Sequence, residues 1–349
     1  MRSTLIRQNL PSSISPISIR SVQNNLSKAQ TEIASGRWND VGYKLAEQTG
    51  LVLNARAQIN LIDTFKATNA LIIGRTDITQ NSISALVEEA QILFESSVAA
   101  RSTQTSPEVV ESIARDGLGT IFANLNTTIQ GVYIFGGTNS ETPPLENYFG
   151  TPSPASKNAV DAAFLAEFGF TQSDPAVAGI TPAAMESFID NAFSDLFDDA
   201  AWAANWSSAT DEIITAKISF TEYTQTTQTA NESAIRKLAM AYTMVADLGL
   251  GNQNDGAFGA VMDKAVDLTG QAIGELNVMK GNIGVTQQRV EVASDRLVVQ
   301  KNVFERLVAD RENVDAYEVA TRVSLLTNQL EASYTLTARL QQLSLVRFI

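Results

Sequence analysis

Asp195, Asp198 and Asp199 form a tight carboxylate cluster in this 349-residue chain, and such a cluster could coordinate a cation. The same residues fit a solvated helix end, the plainer reading in a chain with a formal charge of −13. Gly249-Leu250-Gly251 opens like a dinucleotide fingerprint, but Asn254 stands where the third glycine is required. It also follows helical rather than strand sequence, so it reads as a helix-helix turn. Taken as a calcium loop with Gly256 sixth, it would begin at Gly251 and end at Met262, neither of which supplies a carboxylate. Gly136-Gly137 could approach a phosphate, but a tight turn uses glycine equally well. No Gly-Lys-Ser/Thr phosphate loop occurs, and the four Asn-X-Ser/Thr matches at Asn25, Asn126, Asn205 and Asn231 are unremarkable in so polar a chain.

The chain contains no Cys and no His. Disulfides, thiolate nucleophiles, Cys/His zinc sites and imidazole bases are therefore excluded. Sugar hydrolysis by paired carboxylates is compatible with the composition, but no spacing organises it. The expectation is a protein that is not an enzyme, with no catalytic residue, no cofactor and no metal. The acidic balance argues against nucleic acid, whose phosphates need a basic surface, and against an anionic membrane surface. No apolar run reaches the ~18 residues of a membrane-spanning helix. Met1 to Pro11 lacks the apolar stretch of a signal peptide. The chain is expected to stay in the cytoplasm or to leave by a route that reads no cleavable signal.

The elements that could position a site are mostly helical. All nine prolines lie between Pro11 and Pro182, leaving Ile17–Ser106 and Ala183 to the C-terminus without one. Proline breaks helices, so long helices are expected on either side of an irregular insert. A first helix is predicted over Pro16–Ser35, stopped by Gly36. A second spans about Leu45–Arg101, with seams at Val52, Ala55, Ile59, Ile62 and at Ile83, Leu86, Ala90, Leu93, and a weak point at Gly74. A third runs from Pro107 to Asn126, capped by Ser106. Gly131–Thr138 reads as a short strand entering a glycine turn. The middle region, about 146–229, holds eight of the fifteen Phe and two Trp, enough for a small core of its own. Short helices are expected at Ala159–Phe168 and Pro182–Phe197, and strands within Ile213–Thr229. Helix resumes at Asn231 and again near Ala257. Val290, Ala293, Leu297, Phe304 and Leu307 then keep a coiled-coil register, with Arg311 on the seam before a polar joint at Ala309–Asp315.

The two ends carry matching apolar seams. Ile19, Val22, Leu26, Ala29 and Ile33 alternate steps of three and four. So do Ala316, Val319, Val323, Leu326 and Leu330, after which the stripe shifts phase through Ala332, Leu336, Leu340 and Leu343. So narrow a seam needs a partner helix. These residues are the candidate assembly interface; an intramolecular bundle with no assembly role fits the same spacing. The expected fold is mainly α, a long antiparallel bundle built from both termini with a small mixed α/β middle domain. The expected divisions are terminal helices at 1–42 and 315–349, helical halves at 43–142 and 230–314, and an insert at 143–229.

Several stretches together resemble the flagellin superfamily, over about 250 residues at the two ends. They are Gln23–Leu26 with Thr31–Gly36 and Arg37, Gly131–Thr138 followed by Pro143-Pro144, Asn282–Val290, and Gln341–Ile349. The second and last of these are more similar to the superfamily's hook-filament junction branch than to flagellin itself. Asp40-Val41-Gly42 departs from the Asp-Asp-Pro run common after the first glycine. The resemblance implies a structural adaptor of the bacterial flagellum, joining hook to filament by coiled-coil packing of its terminal helices; flagellin, the filament's bulk subunit, is the alternative. It implies export through the flagellar secretion channel without a cleaved signal, and an extracellular location. The implied partners are further copies in a head-to-tail ring, a neighbouring hook-associated protein, flagellin or filament-side subunits, and an export chaperone, with no nucleic acid and no membrane insertion.

Overall fold

The computed structural model describes the backbone of residues 16–102 and 106–346, with side chains from 19 to 339 in that span. The chain divides into two compact units, one formed by residues 1–63 and 298–349 and the other by residues 64–297. Two long helices contribute to both, so the boundaries fall within helices rather than at linkers.

In the first unit, α1 occupies Pro16–Ser35 and α2 Val41–Leu45. Gly36 ends α1 with φ +69°, its N–H donating to the Glu32 carbonyl at 2.9 Å. A Cβ there would meet nothing within 4 Å, so only backbone strain opposes substitution. Gly36→Ala is expected to destabilise this turn by about 1 kcal/mol, with Gly36→Asn intermediate. Urea unfolding followed by hydrogen exchange at the Val314 amide, which donates to the Gly36 carbonyl, checks this. The next helix, α3, is continuous from Thr49 to Arg101. Leu45 therefore closes the short preceding helix rather than opening the long one, and Gly74 lies within an unbroken run.

In the second unit, α4 runs over Pro107–Leu125, and Ser106 holds the cap position with its carbonyl accepting from the Val109 N–H at 3.2 Å while its side chain caps no first-turn N–H. Its apolar face (Val110, Ala114, Leu118, Ile121, Phe122, Leu125) is wholly buried. The expected strand is shorter than its sequence suggests. β1 (Thr128–Ile129) pairs antiparallel with β2 (Val132–Tyr133) across Gln130-Gly131, both at positive φ, a tight type I′ turn. Beyond Tyr133 one more backbone bond, from the Ile134 N–H to the Thr127 carbonyl at 3.1 Å, precedes Gly136 and Gly137, which are packed too closely for side chains. A Cβ on Gly137 would stand 2.3 Å from the Thr210 carbonyl oxygen.

The middle region contributes α5 (Ala155–Phe168), α6 (Pro182–Phe188) continuing through a π turn and a 3₁₀ turn to Phe197, and α7 (Asp199–Asn205). A hairpin follows, with β3 (Thr215–Lys217) antiparallel to β4 (Tyr223–Gln225). The phenylalanines do not form a private core. Rings run in contact from Phe164 through Phe188, Phe193 and Phe197 to Trp206, which stacks on Trp202 and Tyr148 and meets Phe122 of α4 edge-on. One hydrophobic core joins these rings to α4 and to α8 (Ser233–Asp247), whose residues Ala234–Ala246 include eleven buried side chains. Compactness thus groups the middle region with the helices around it, where composition alone pointed to an insert at 143–229.

Against α8, Gly117 leaves room for the Tyr242 ring, 2.3 Å from where a Cβ would lie, and the Tyr242 hydroxyl donates to the Glu89 carbonyl at 2.5 Å. At the end of α8, Asp247 accepts from Tyr148 at 2.7 Å and pairs with Lys157 at 3.1 Å. Burial outweighs both partners and raises the Asp247 carboxyl; burial likewise raises Glu89, beside Glu88, and Glu232, beside Asp211. A carboxyl raised in the fold adds stability below its unfolded pKa, and that contribution is lost as pH rises through the folded value. This unit should therefore gain from these three groups as pH falls from neutral towards the ordinary carboxylate range. Asp247→Asn keeps an acceptor for Tyr148 and should flatten that rise in urea titrations at stepped pH.

The last two helices are α9 (Asp255–Glu312) and α10 (Ala316–Val346). Within the second unit α9 runs antiparallel to α3, held by Asn69 to Ser294 at 2.9 Å, Gln287 to Asp77 at 2.6 Å and Arg101 to Asp263 at 2.6 Å.

Candidate assembly interface

No chemistry collects around the motifs that opened the sequence. Asp199 pairs with Arg236 at 2.6 Å, Asp198 caps α7 by position, and the described residues include no carboxylate group arranged for a metal. Gly249 turns the chain at φ +69° with the Gln172 carbonyl 2.2 Å from a Cβ position, which is packing rather than phosphate binding.

The ends of the chain do meet. In the first unit α1 packs antiparallel along α10: the Gln23 side-chain amide donates to the Tyr334 hydroxyl at 2.6 Å, and Arg322 pairs with Glu32 at 3.1 Å. On α1, Ile19, Val22 and Leu26 are half-buried and Ala29 is buried; the next seam place goes to Glu32, leaving Ile33 43% exposed. On α10, Val319 is buried and Val323, Leu326 and Leu330 are half-buried. The covered line continues at Ser333 and Thr337 in the same phase, so the phase shift read from the leucines is not followed by burial. Ala316 and Ala332 are exposed and Leu336 is 46% exposed, off that line. The side chains of Leu340 and Leu343 lie outside the described residues.

A polar cluster fixes the break between α9 and α10. Trp38 N–H donates to the Glu312 carbonyl, and Val314 N–H to the Gly36 carbonyl, each at 3.0 Å. The Glu312 side chain is 2% exposed. Arg56 Nη2 donates to its two oxygens at 2.8 and 2.5 Å, and Arg37 lies 3.7 Å away. Glu32 accepts from the Asn39 N–H at 3.2 Å as well as from Arg322. The Trp38 ring meets the Lys44 ammonium at 4.3 Å and the Arg322 guanidinium at 5.5 Å, two cation-π contacts. A further pair, Lys301 to Asp63 at 2.6 Å, joins α9 to α3, and that hydrogen bond raises the Lys301 amine.

Sequence periodicity placed Arg311 on the seam. It is exposed and reaches Gln48 at 3.0 Å, while its neighbour Glu312 is the side chain taken inside. Arg56, Glu312, Trp38 and Arg322 were not singled out by the sequence. Glu32 carried a readable signal, being three residues beyond Ala29 on the seam.

Helices from both ends packing on each other, with a strand-containing middle, are the arrangement that decides the family. Residues 6–140 match the bacterial flagellin N-terminal helical region and residues 266–349 its C-terminal helical region, together more than half of the chain. The chain belongs to the flagellin family. It is a structural protein of the flagellum and not an enzyme, and it assembles with other flagellar components outside the cell. A protein from Vibrio parahaemolyticus described as a flagellar hook-associated protein shares the fold, with TM-score 0.52 at 8% identity over 76% of this chain and 97% of that one. FlgL of Bacillus cereus is similar with TM-score 0.47 at 12% identity, over 74% of this chain and 99% of that one. No curated protein is close enough in sequence to count as a relative. Among the described residues of this flagellin-family chain, no helix is long and apolar enough to cross a membrane.

Proposed function

We propose that this chain is the adaptor that joins hook to filament, with the α1–α10 pair as its assembly element. The observation that carries the reading is the incomplete burial of that pair. Leu26, Val323, Leu326 and Leu330 are only half-covered by their own chain, and Leu325 on α10 is 62% exposed. Apolar surface left in water on both helices favours further helices beside them, and neighbouring subunits supply those. The interface residues are those of the two seams, Ile19 to Ile33 and Ala316 to Leu343. Within that interface Ile33 and Leu336 face neighbours rather than the chain itself.

The partners are further copies in a ring, a neighbouring hook-associated protein on one side and flagellin on the other. Head-to-tail contacts build such a ring. A cytoplasmic chaperone covers the ends before export through the flagellar channel, and a chain free of Cys threads that channel without cross-links. The Gly131–Thr138 stretch with Pro143-Pro144 and the Gln341–Ile349 ending support the junction branch over flagellin.

Deleting the gene should give hooks without filaments and flagellin shed to the medium. A copy lacking residues 316–349 should fail to restore attachment; restoration by it would sink the assembly role. Purified chain that grows long filaments from seeds would identify it instead as the filament's bulk subunit.

A further inference from the structure

A second hydrophobic core in this unit is separate from the one around α4 and α8. Three elements supply two residues each to it: Ile72 and Ile73 from α3, Val290 and Ala293 from α9, and Ala216 and Ile218 from the β3–β4 arm. Ile218, at the tip of that arm, is 2% exposed. Phe220 in the same turn meets Phe65 of α3 edge-on at 5.3 Å, and Glu222 pairs with Arg296 of α9 at 2.8 Å. Asn69 makes the joint. It is 1% exposed, and its side-chain nitrogen donates to the Ile218 carbonyl at 3.0 Å and to Ser294 Oγ at 2.9 Å. One side chain of α3 thus holds both the arm and α9.

The other end of the arm is rooted in the main core. Thr229 bridges to Gly136, the Thr210 N–H donates to the Gly136 carbonyl at 3.2 Å, and the Ala230 N–H donates to the Phe135 carbonyl at 2.9 Å. Phe135 and Ala230 are both fully buried there.

We propose that the β3–β4 arm is a strap: its tip fastens α3 to α9 beside Asn69, and it can release them while the main core stays folded. Root and tip lie in different cores, so lifting the tip leaves the core around α4 and α8 filled. The arm is a two-stranded hairpin, which has little stability of its own, so its tip contacts keep it down. Those contacts are few. The Arg296–Glu222 pair is 63% and 42% exposed and adds little. Asn69 leaves its Oδ1 buried without a partner, which offsets part of what its two donated bonds contribute. Ile218 and Phe220 therefore supply most of the hold. Closed, the strap fixes the spacing of the two long helices at this level. Open, it uncovers Ile72, Val290 and Ala293 and leaves the helices free to shift. The inference concerns the chain by itself and does not depend on the adaptor reading.

Purified chain is enough for the test. In native-state hydrogen exchange at low urea, the Ile218 and Thr226 amides, which donate to the Glu222 and Ile214 carbonyls, report the arm. They should exchange at least about tenfold faster than the buried amides of α8, with a smaller urea dependence. Ile218→Ser/Phe220→Ser alters the arm alone. It should speed exchange in residues 69–76 of α3 and 290–297 of α9 by roughly thirtyfold, and leave α8 as in the parent. The chain has no Cys, so Glu222→Cys/Arg296→Cys joined by a short bismaleimide fastens the tip covalently. Added to the first double variant, that link should restore most of the lost protection. Arm amides that open only together with α8 would overturn the separate release. Unchanged exchange in α3 and α9 would overturn the fastening, as would equal loss of protection in α8. A linked chain as loose as the unlinked one would overturn it too.

Discussion

Arg56→Met is expected to loosen the break between α9 and α10 by about 3 kcal/mol, the lower end of what stranding a buried charge costs. The Glu312 carboxylate is 2% exposed, and with Arg56 gone its remaining cation is Arg37 at 3.7 Å. Arg56 is itself half in water, which moderates the loss. The break is closed by two backbone hydrogen bonds, from Trp38 to Glu312 and from Val314 to Gly36. These amides report its opening, and 3 kcal/mol corresponds to exchange roughly a hundredfold faster. Arg56→Met/Glu312→Gln removes the stranded charge and should recover most of the protection. If the single variant exchanges like the parent, the carboxylate is solvated in solution and the cluster does not fix the break. The effect bears on assembly because Arg37 and Trp38, which follow α1, are bonded to this same carboxylate and its carbonyl. A looser break lets the α1–α10 pair sample other arrangements before neighbours engage it.

Phe188→Ala is expected to destabilise the second unit by about 4 kcal/mol, the usual range for emptying a fully buried aromatic site. For a unit of this size that is a fall of roughly 10 °C in Tm. Phe188 is 1% exposed and touches Phe164, Phe168 and Phe193. The informative readout is where the loss is felt. A separate middle domain would confine it to α5 and α6. One shared core, running through Phe197 and Trp206 to Phe122, spreads it to α4 and α8. Native-state exchange should therefore show the buried amides of α8 losing as much protection as those of α5. Protection lost in α5 and α6 alone would restore the independent insert.

Much of the helical framework is legible residue by residue. Proline at 16 and glycine at 36 bracket α1, because one fits a first turn and the other accepts a positive φ. Val290, Ala293 and Leu297 are buried as their spacing predicts, since helical period dictates which side chains share a face. The family could also be read from short stretches at both ends, because those stretches form the helices and turns that define it.

Other features depend on distances that no local pattern encodes. Eight phenylalanines in one region imply a core but not whose core it is; that followed from Trp206 reaching Tyr148 and Phe122. Periodicity chose Arg311 for the seam, but the helix delivers Glu312 to Arg56, 256 residues earlier in the chain. A charge goes inside only where a partner from elsewhere offsets its desolvation, so burial of Glu312 was decided by the fold. Leu336 reads as a seam residue by spacing, yet it lies off the face that α1 covers on α10 and stays 46% exposed. The amino-acid sequence by itself determined the helices, their turns and the exclusion of Cys and His chemistry, since these follow from local sterics and side-chain composition. Which apolar faces are spent inside the chain, and which remain for another copy, only the tertiary structure decided, because burial is a property of what packs against a face and not of the face alone.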